Sequence, residues 1–292
     1  MQLTGILPAL VTPFDKSGAV DHDTLASILE YQLKAGVSGF VPLGSTGEYY
    51  ALTNEERRQV LATVKEVVGE RGTLIAGANG SCTREVLEQV KQTVEAGYTN
   101  LLIAPPYYAL PSQEELLAHY RTILETFPEI NLVLYNYPVR TNVEVGMGVI
   151  QALAEHPRVI AIKESSGNLL RAIEIGTSYK DKVQLSCGSD DQALDFFLWG
   201  ASSWICGPAN CFPDQVTDFY RKFASGDLAG AQEVMRSLFP VMASLESGKF
   251  VQKVKYGCEL AGFSAGNARA PLLPLTDEEK AEFRKVFEAS QR

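Results

Sequence analysis

The chain has 292 residues, of which 46% are apolar and 21% are charged. This composition is typical of a globular protein with a sizeable core, and it excludes a disordered chain, a collagen-like fibre and a disulfide-stapled mini-protein. The formal net charge is −9 without any compensating run of Lys or Arg, so we expect no nucleic-acid partner. No apolar stretch reaches the roughly 18 residues of a membrane span, so we expect no membrane association.

The N-terminal residues and the cysteines both favour a cytoplasmic protein. Residues 1–5 lack the basic and apolar regions that begin a secretory signal. The five cysteines are scattered without a CxxC pair, and we interpret them as reduced, half-buried small hydrophobic residues. The three histidines are not spaced as metal ligands, so the sequence predicts no metal site.

Strand-like and helix-like patterns alternate along the first three-quarters of the chain. Apolar, β-branched runs predict strands over residues 5–10, 39–43, 73–76, 100–103, 131–136, 158–163, 183–187 and 203–206. Amphipathic patterns predict helices over residues 21–35, 53–68, 83–96, 112–126, 148–155, 169–178, 191–199 and 213–223. Eight such units predict an α/β protein with a (β/α)8 TIM barrel. A doubly wound open sheet is the rival, but no GxGxxG turn follows the first strand.

The alternation stops at Asp227, and the remaining residues are typical of helices joined by proline-containing loops. We therefore predict a catalytic barrel domain over residues 1–226 and a helical C-terminal segment over residues 227–292 that packs on it. A barrel builds its active site at the C-terminal ends of its strands, so the candidate catalytic groups are sought there.

The end of the sixth predicted strand carries the strongest chemical signal. Strand alternation places Lys163 on the same face as Val159 and Ala161. Because a parallel barrel strand is buried on both faces, desolvation there favours the neutral, nucleophilic amine. Such a lysine is prepared to attack a carbonyl carbon and form an imine. The alternative is a lysine that reaches solvent or pairs with a carboxylate such as Glu164.

Three other strand ends carry candidate groups, each with a plain structural alternative. Residues 44–48, GSTGE, combine glycines and hydroxyls in a turn suited to a carboxylate or phosphate, or in an ordinary self-capping turn. Tyr107 and Tyr108 follow the fourth strand and are more typical of packing or an interface. Tyr135 ends the fifth strand, and Arg140 beyond it offers a fixed charge for an anionic substrate or is simply a surface residue.

The last two strand ends carry weaker signals. Small residues such as Gly188 and Gly207 allow a ligand to approach the backbone, but they also occur in ordinary turns. We interpret Asp190 and Asp191 as acidic residues that complement the dipole of the helix that follows them.

Five of these segments resemble the pyruvate-dependent Schiff-base lyases, the family of dihydrodipicolinate synthase and N-acetylneuraminate lyase. They are GSTGE at 44–48, PPYY at 105–108, YNYPVRT at 135–141, IKESSGN at 162–168 and GSDD at 188–191. The resemblance covers nearly the whole chain and is closest to the dihydrodipicolinate-synthase-like members. Five motifs in the family's order make it specific.

The resemblance implies four catalytic residues. Lys163 matches the lysine that condenses with the ketone of pyruvate. Tyr135 matches the tyrosine that shuttles protons during imine formation and breakdown. Ser45 matches the hydroxyl that relays those protons, and Tyr108 the tyrosine that a neighbouring subunit contributes. The family is commonly a tetramer built as a dimer of dimers, so the resemblance implies a homotetramer.

The resemblance also implies how the substrates are bound. Ser45 and Thr46 match residues that hold the pyruvate carboxylate, and Arg140 matches one that, in the synthases, holds the carboxylate of the aldehyde. We expect Gly188 and Ile205 among the substrate-binding residues. The imine is an electron sink that turns the methyl group into a carbon nucleophile, so neither a metal nor another cofactor is required.

The motifs indicate the imine chemistry more specifically than they indicate the second substrate. Arg140 favours condensation of pyruvate with aspartate semialdehyde, the dihydrodipicolinate synthase reaction of lysine biosynthesis. Ser45 replaces a threonine usual in the synthases, and the alternative is an aldolase or dehydratase for a sugar acid or hydroxy-oxoglutarate. Tyr49 and Tyr50 stand where the synthases place small residues beside their lysine feedback site. We therefore predict weak or absent inhibition by lysine.

Two other classes of function are disfavoured. A metal-dependent aldolase on the same fold needs His and carboxylate ligands in a cluster that this sequence does not offer. A non-catalytic binding homologue would not need Lys163, Tyr135 and Ser45 together.

Overall fold

The structure is a computed structural model and describes residues 2–291. The strands in this range are β1 (Gly5–Pro8), β2 (Gly39–Phe40), β3 (Thr73–Leu74), β4 (Ala76–Gly77), β5 (Asn100–Ile103), β6 (Asn131–Asn136), β7 (Val159–Glu164), β8 (Gln184–Cys187) and β9 (Ser203–Cys206). The helices are α1 (His22–Ala35), α2 (Asn54–Val68), α3 (Thr83–Glu95), α4 (Gln113–Thr126), α5 (Pro138–Thr141), α6 (Met147–Ala154), α7 (Leu169–Ser178), α8 (Ala193–Leu198), α9 (Pro213–Ala224), α10 (Leu228–Glu246), α11 (Phe250–Leu260) and α12 (Asp277–Ala289). Strands and helices alternate up to α9 as predicted, except that β3 and β4 follow each other directly, as do α5 and α6.

Contacts between residues divide the described chain into two compact units. The central unit contains residues 2–4 and 74–205, and the terminal unit contains residues 5–73 and 206–291. The predicted domain boundary between residues 226 and 227 stays a prediction. None of the helices in residues 2–291 combines the length and the apolar character that a membrane span needs.

The central unit is organised around parallel strands. From β4 to β9, each strand pairs in parallel with the next one along the chain. The register places Tyr135 of β6 opposite Lys163 of β7, and Lys163 opposite Ser186 of β8. Every residue of β7 is buried, as expected for a parallel strand that is covered on both faces.

The terminal unit combines the first strands with the last helices. A parallel bridge joins Ala9, just after β1, to Val41, just after β2. Helix α2 begins with a capping box, in which the side chains of Thr53 and Glu56 each bond the backbone of the other residue. Helix α1 ends at Gly36, whose left-handed conformation suits a residue without a side chain. Local sequence therefore fixes these helix ends.

The largest differences from the predicted elements lie in three places. Strand β2 ends at Phe40 rather than at residue 43. Leu43 has a positive φ of 58°, which is incompatible with the extended backbone of a strand. The predicted strand over 73–76 is two short strands, β3 and β4. Helix α5 was not predicted; Pro138 begins it, because the fixed φ of proline suits the first turn of a helix.

Candidate active site

Lys163 lies at the end of β7 with its side chain only 6% exposed. Its Nζ is 4.6 Å from the centroid of the Tyr135 ring. The two residues are also direct partners in the β6–β7 register, so both side chains are on the same face of the sheet. The structure thus brings together the predicted nucleophile and the predicted proton-shuttling phenol.

Side chains of the next two strands also lie on this face. Ser186 is the register partner of Lys163, and its hydroxyl accepts a hydrogen bond from that of Ser203 at 2.9 Å. Ile205 lies two residues beyond Ser203 in β9 and is buried. A methyl group at Gly188 would collide with Oγ of Ser165 and would lie 2.9 Å from both the carbonyl oxygen of Glu164 and Cε of Lys163, which is closer than real contacts allow. Gly188 therefore leaves space for the Ser165 hydroxyl and the Glu164 backbone as well as for the lysine side chain.

Glu164 points away from Lys163, because successive strand residues alternate between faces. Its buried carboxylate accepts hydrogen bonds from Nδ2 of Asn136 at 2.8 and 2.9 Å and from the backbone N–H of Ser166 at 2.8 Å. Nε of Arg171 donates to it at 3.2 Å. The partners of Glu164 therefore lie on the face opposite to Lys163. Two of the bonded residues, Asn136 and Glu164, directly follow Tyr135 and Lys163 in the sequence, so this network links the two strands that carry the site.

Arg140 is carried by the short helix α5 and is exposed. Its guanidinium carbon is 5.9 Å from the centroid of the Tyr137 ring. That ring is in turn 5.8 Å from the ring of Tyr135. A chain of two aromatic rings therefore connects the predicted carboxylate-binding arginine to the predicted proton shuttle.

Tyr108 lies in the loop between β5 and α4 and is 89% exposed, whereas Pro105 and Pro106 before it are buried. Tyr107 is half-buried. An aromatic ring with this exposure is unusual on a protein surface. The structure therefore leaves the Tyr108 phenol accessible from outside the chain.

Ser45 and Thr46 belong to the terminal unit, in the loop of residues 44–48. The N–H of Gly47 donates to the carbonyl of Gly44 at 3.1 Å, and the N–H of Glu48 donates to that of Ser45 at 3.2 Å. Two successive tight turns thus form the loop, with Thr46 buried and Ser45 half-buried. The loop has the turn structure that its two glycines indicate.

Several charged and polar groups that the fold buries were not predicted from the sequence. Arg171 and Lys255 are both buried, and neither belongs to a recognisable motif. Asp190 is also buried and accepts a hydrogen bond from Nε1 of Trp204 at 2.9 Å, so its role is not only to complement a helix dipole. Cys82 is exposed and the other four cysteines are fully buried, so the predicted half-burial of all five is wrong.

Comparison with known proteins places the chain in a family. A model of the dihydrodipicolinate synthetase family matches residues 2–290. A 4-hydroxy-tetrahydrodipicolinate synthase of Exiguobacterium is 33% identical over 285 residues, which are 98% of this chain and 97% of the relative. The solved structure of the dihydrodipicolinate synthase DapA-2 from Bacillus anthracis is 30% identical, with a TM-score of 0.94 over 99% of this chain and 98% of that one.

A further solved structure, the chloride-inhibited dihydrodipicolinate synthase from Acinetobacter baumannii complexed with pyruvate, is 29% identical. Its TM-score is 0.95, and the match covers 99% of both chains. The predicted fold class, a TIM barrel with C-terminal helices, is confirmed by these structures. The chain belongs to the dihydrodipicolinate synthetase family, and the predicted enzyme class, a lyase that uses pyruvate, is that of the family.

Proposed function

We propose that this enzyme forms an imine between Lys163 and the ketone of pyruvate and then joins the pyruvate methyl carbon to L-aspartate semialdehyde. The observation that carries the proposal is the buried Lys163 at a strand end, with its Nζ over the ring of Tyr135. The family membership and the synthases among the relatives support the choice of substrates.

The proposed reaction begins when the neutral amine of Lys163 attacks the ketone carbon of pyruvate. Loss of water gives the imine, and its nitrogen draws electrons from the methyl group, which then loses a proton. The resulting enamine carbon forms a bond with the aldehyde carbon of the second substrate. The amine of that substrate then displaces Lys163 from the imine carbon and closes the ring. We propose that Tyr135 carries protons during these steps and that Ser45 relays them.

Substrate binding requires groups for two carboxylates. We propose that Thr46 and Ser45 hold the carboxylate of pyruvate and that Arg140 holds that of the semialdehyde. Gly188 and Ile205 border the lysine side of the pocket in this proposal, and neither a metal nor an organic cofactor takes part. Because an arginine fork matches a carboxylate in charge and shape, Arg140→Ala should raise the KM for the semialdehyde far more than that for pyruvate.

We propose that Tyr108 completes the proton relay of a neighbouring subunit in a homotetramer. Its exposed phenol supports this proposal. A mixing experiment tests it: Lys163→Ala and Tyr108→Phe should each be nearly inactive alone, and co-refolded mixtures should regain activity because some sites then contain both intact residues. A mixture that stays inactive, or a wild-type enzyme that sediments as a monomer, contradicts the proposal. The same proposed reaction gives the enzyme a place in lysine biosynthesis, and we propose a cytoplasmic location.

The decisive experiment measures turnover of pyruvate with L-aspartate semialdehyde through a coupled reductase. Borohydride trapping followed by mass spectrometry shows in parallel whether pyruvate is bound to Lys163. Lys163→Ala should lose both signals, whereas Lys182→Ala, at an exposed ion pair with Glu155, should retain both. Unchanged turnover in Lys163→Ala would refute the mechanism.

The same experiment separates the alternative function. A trapped pyruvate adduct without turnover of the semialdehyde retains the imine chemistry and points to a sugar-acid or hydroxy-oxoglutarate aldolase or dehydratase. Ser45, in a position that is usually threonine in the synthases, is the observation that keeps this alternative under test.

A further inference from the structure

The loop of residues 44–48 is bounded by two residues in an unfavourable backbone conformation. Leu43 has a φ of 58° and Glu48 a φ of 54°, in the left-handed region that residues with side chains rarely adopt. A loop with such ends persists only where surrounding contacts hold it. The terminal unit provides these contacts through the side chain of Glu48.

The carboxylate of Glu48 is completely buried and is bound from two directions. Nζ of Lys255, in α11, lies 2.6 Å from one oxygen, and the side chain of this lysine is itself only 1% exposed. The backbone N–H of Arg269 donates to the other oxygen at 2.8 Å. Both partners come from the C-terminal helical segment, which is far from Glu48 in the sequence.

The segment that supplies Arg269 is itself docked closely on the N-terminal part of the unit. The N–H of Phe14 donates to the carbonyl of Ala265 at 3.1 Å, and a side chain at Gly266 would collide with the carbonyl of Phe14. The guanidinium of Arg269 donates to the carbonyl of Ala51 at 2.8 Å and pairs with Glu56. This segment therefore contacts the chain on both sides of the loop.

The buried side chain of Lys255 contacts both the segment that supplies Arg269 and the N-terminal part of the unit. Its Nζ donates to the carbonyl of Asn267 at 3.2 Å and lies 3.8 Å from the centroid of the Phe14 ring. Burial lowers the pKa of Lys255, and the carboxylate of Glu48 opposes this shift. An ammonium in such surroundings is retained only with an anionic partner, so Lys255 and Glu48 depend on each other.

We propose that Lys255 and Arg269 are positioning residues that hold Glu48 and thereby fix the loop that presents Ser45 and Thr46. The functional part of this inference rests on the proposed function, because the imine chemistry gives the hydroxyls of Ser45 and Thr46 their roles. In this inference the C-terminal helical segment sets the geometry of a substrate-binding loop.

The first test measures hydrogen–deuterium exchange and needs no substrate. In Lys255→Met, amides of residues 44–48 should exchange at least about tenfold faster, because the loop loses the group that holds its strained end. Peptides from β6 and β7 should keep their protection. Lys253→Met is the matched control: Lys253 is in the same helix, but its ammonium contacts Ser244 and Ser247 instead.

The single variant leaves a buried carboxylate without its ammonium and so risks unfolding. The double variant Glu48→Gln/Lys255→Met removes both charges and should fold. Faster exchange of residues 44–48 in this variant also supports the inference. Exchange equal to that of Lys253→Met in both variants overturns it, whatever reaction the enzyme catalyses.

The second test separates positioning from general loss of structure. The rate at which pyruvate becomes trappable on Lys163 should fall about tenfold in Lys255→Met, but less than about twofold when Ser45 is already Ala. Equal reductions in both backgrounds show that Lys255 does not act through Ser45, which contradicts the inference. Absence of a pyruvate adduct in the wild type refutes the proposed function instead, while the exchange experiment still decides whether Lys255 holds the loop.

Discussion

Replacing Arg171 with Met tests the buried network behind the proposed nucleophile. The Arg171 side chain is 8% exposed and makes three contacts through its guanidinium. Nε donates to Glu164 at 3.2 Å, Nη2 donates to the carbonyl of Val145 at 2.7 Å, and Nη1 pairs with Glu144 at 2.9 Å. Methionine keeps much of the aliphatic stem and removes the charge and these bonds.

The expected loss of stability follows from the burial of each partner. Glu164 is fully buried, and without Arg171 its carboxylate retains the bonds from Asn136 and Ser166 but no cation. Breaking a buried ion pair costs about 3–5 kcal/mol, and the remaining hydrogen bonds favour the lower end of that range. The Glu144 side chain is 49% exposed, so its pair with Arg171 contributes below about 1 kcal/mol.

Urea unfolding followed by circular dichroism measures these free energies. Arg171→Met should lose about 3 kcal/mol of unfolding free energy, and Glu144→Gln below about 1 kcal/mol. The double variant Glu164→Gln/Arg171→Met should recover at least about half of the loss, because it leaves no unpaired buried charge. If Arg171→Met loses no more than Glu144→Gln, the reasoning about the buried carboxylate is wrong.

Three further predictions concern the lysine pocket, acid stability and regulation. Gly188→Ala should slow borohydride-trappable adduct formation by at least about tenfold, because its methyl group would collide with Oγ of Ser165, the carbonyl of Glu164 and Cε of Lys163 and so move the lysine; an unchanged rate in the folded variant would contradict this steric argument. Burial lowers the pKa of His119 to about 4 in the folded protein. As the pH falls below about 6.5, His119 therefore becomes protonated in the unfolded chain before it does so in the folded one. Unfolding free energy should therefore decrease between about pH 6.5 and 4 by up to about 3 kcal/mol more in the wild type than in His119→Gln, and parallel pH profiles would refute the assignment. Lysine should inhibit turnover weakly or not at all, because we expect Tyr49 and Tyr50 to crowd the position of the family's feedback site, and half-inhibition at sub-millimolar lysine would refute this prediction.

The sequence by itself determined the alternation of strands and helices and the place of the candidate nucleophile. Periodicity and capping residues act between neighbours in the chain, so most predicted elements differ from the observed ones by only a few residues at their ends. Lys163 was identified by its position at the end of an apolar strand, which is a local pattern. The motifs that carry the family resemblance are local in the same sense.

Only the tertiary structure decided which charges the fold buries and what they bind. Glu164 follows Lys163 directly in the sequence, yet strand alternation directs its carboxylate to the other face, where Arg171 and Asn136 bind it. Glu48 meets Lys255 across more than two hundred residues of chain. A buried ion pair leaves no periodic signature in the sequence, because each partner is stabilised by a group that only folding brings within reach.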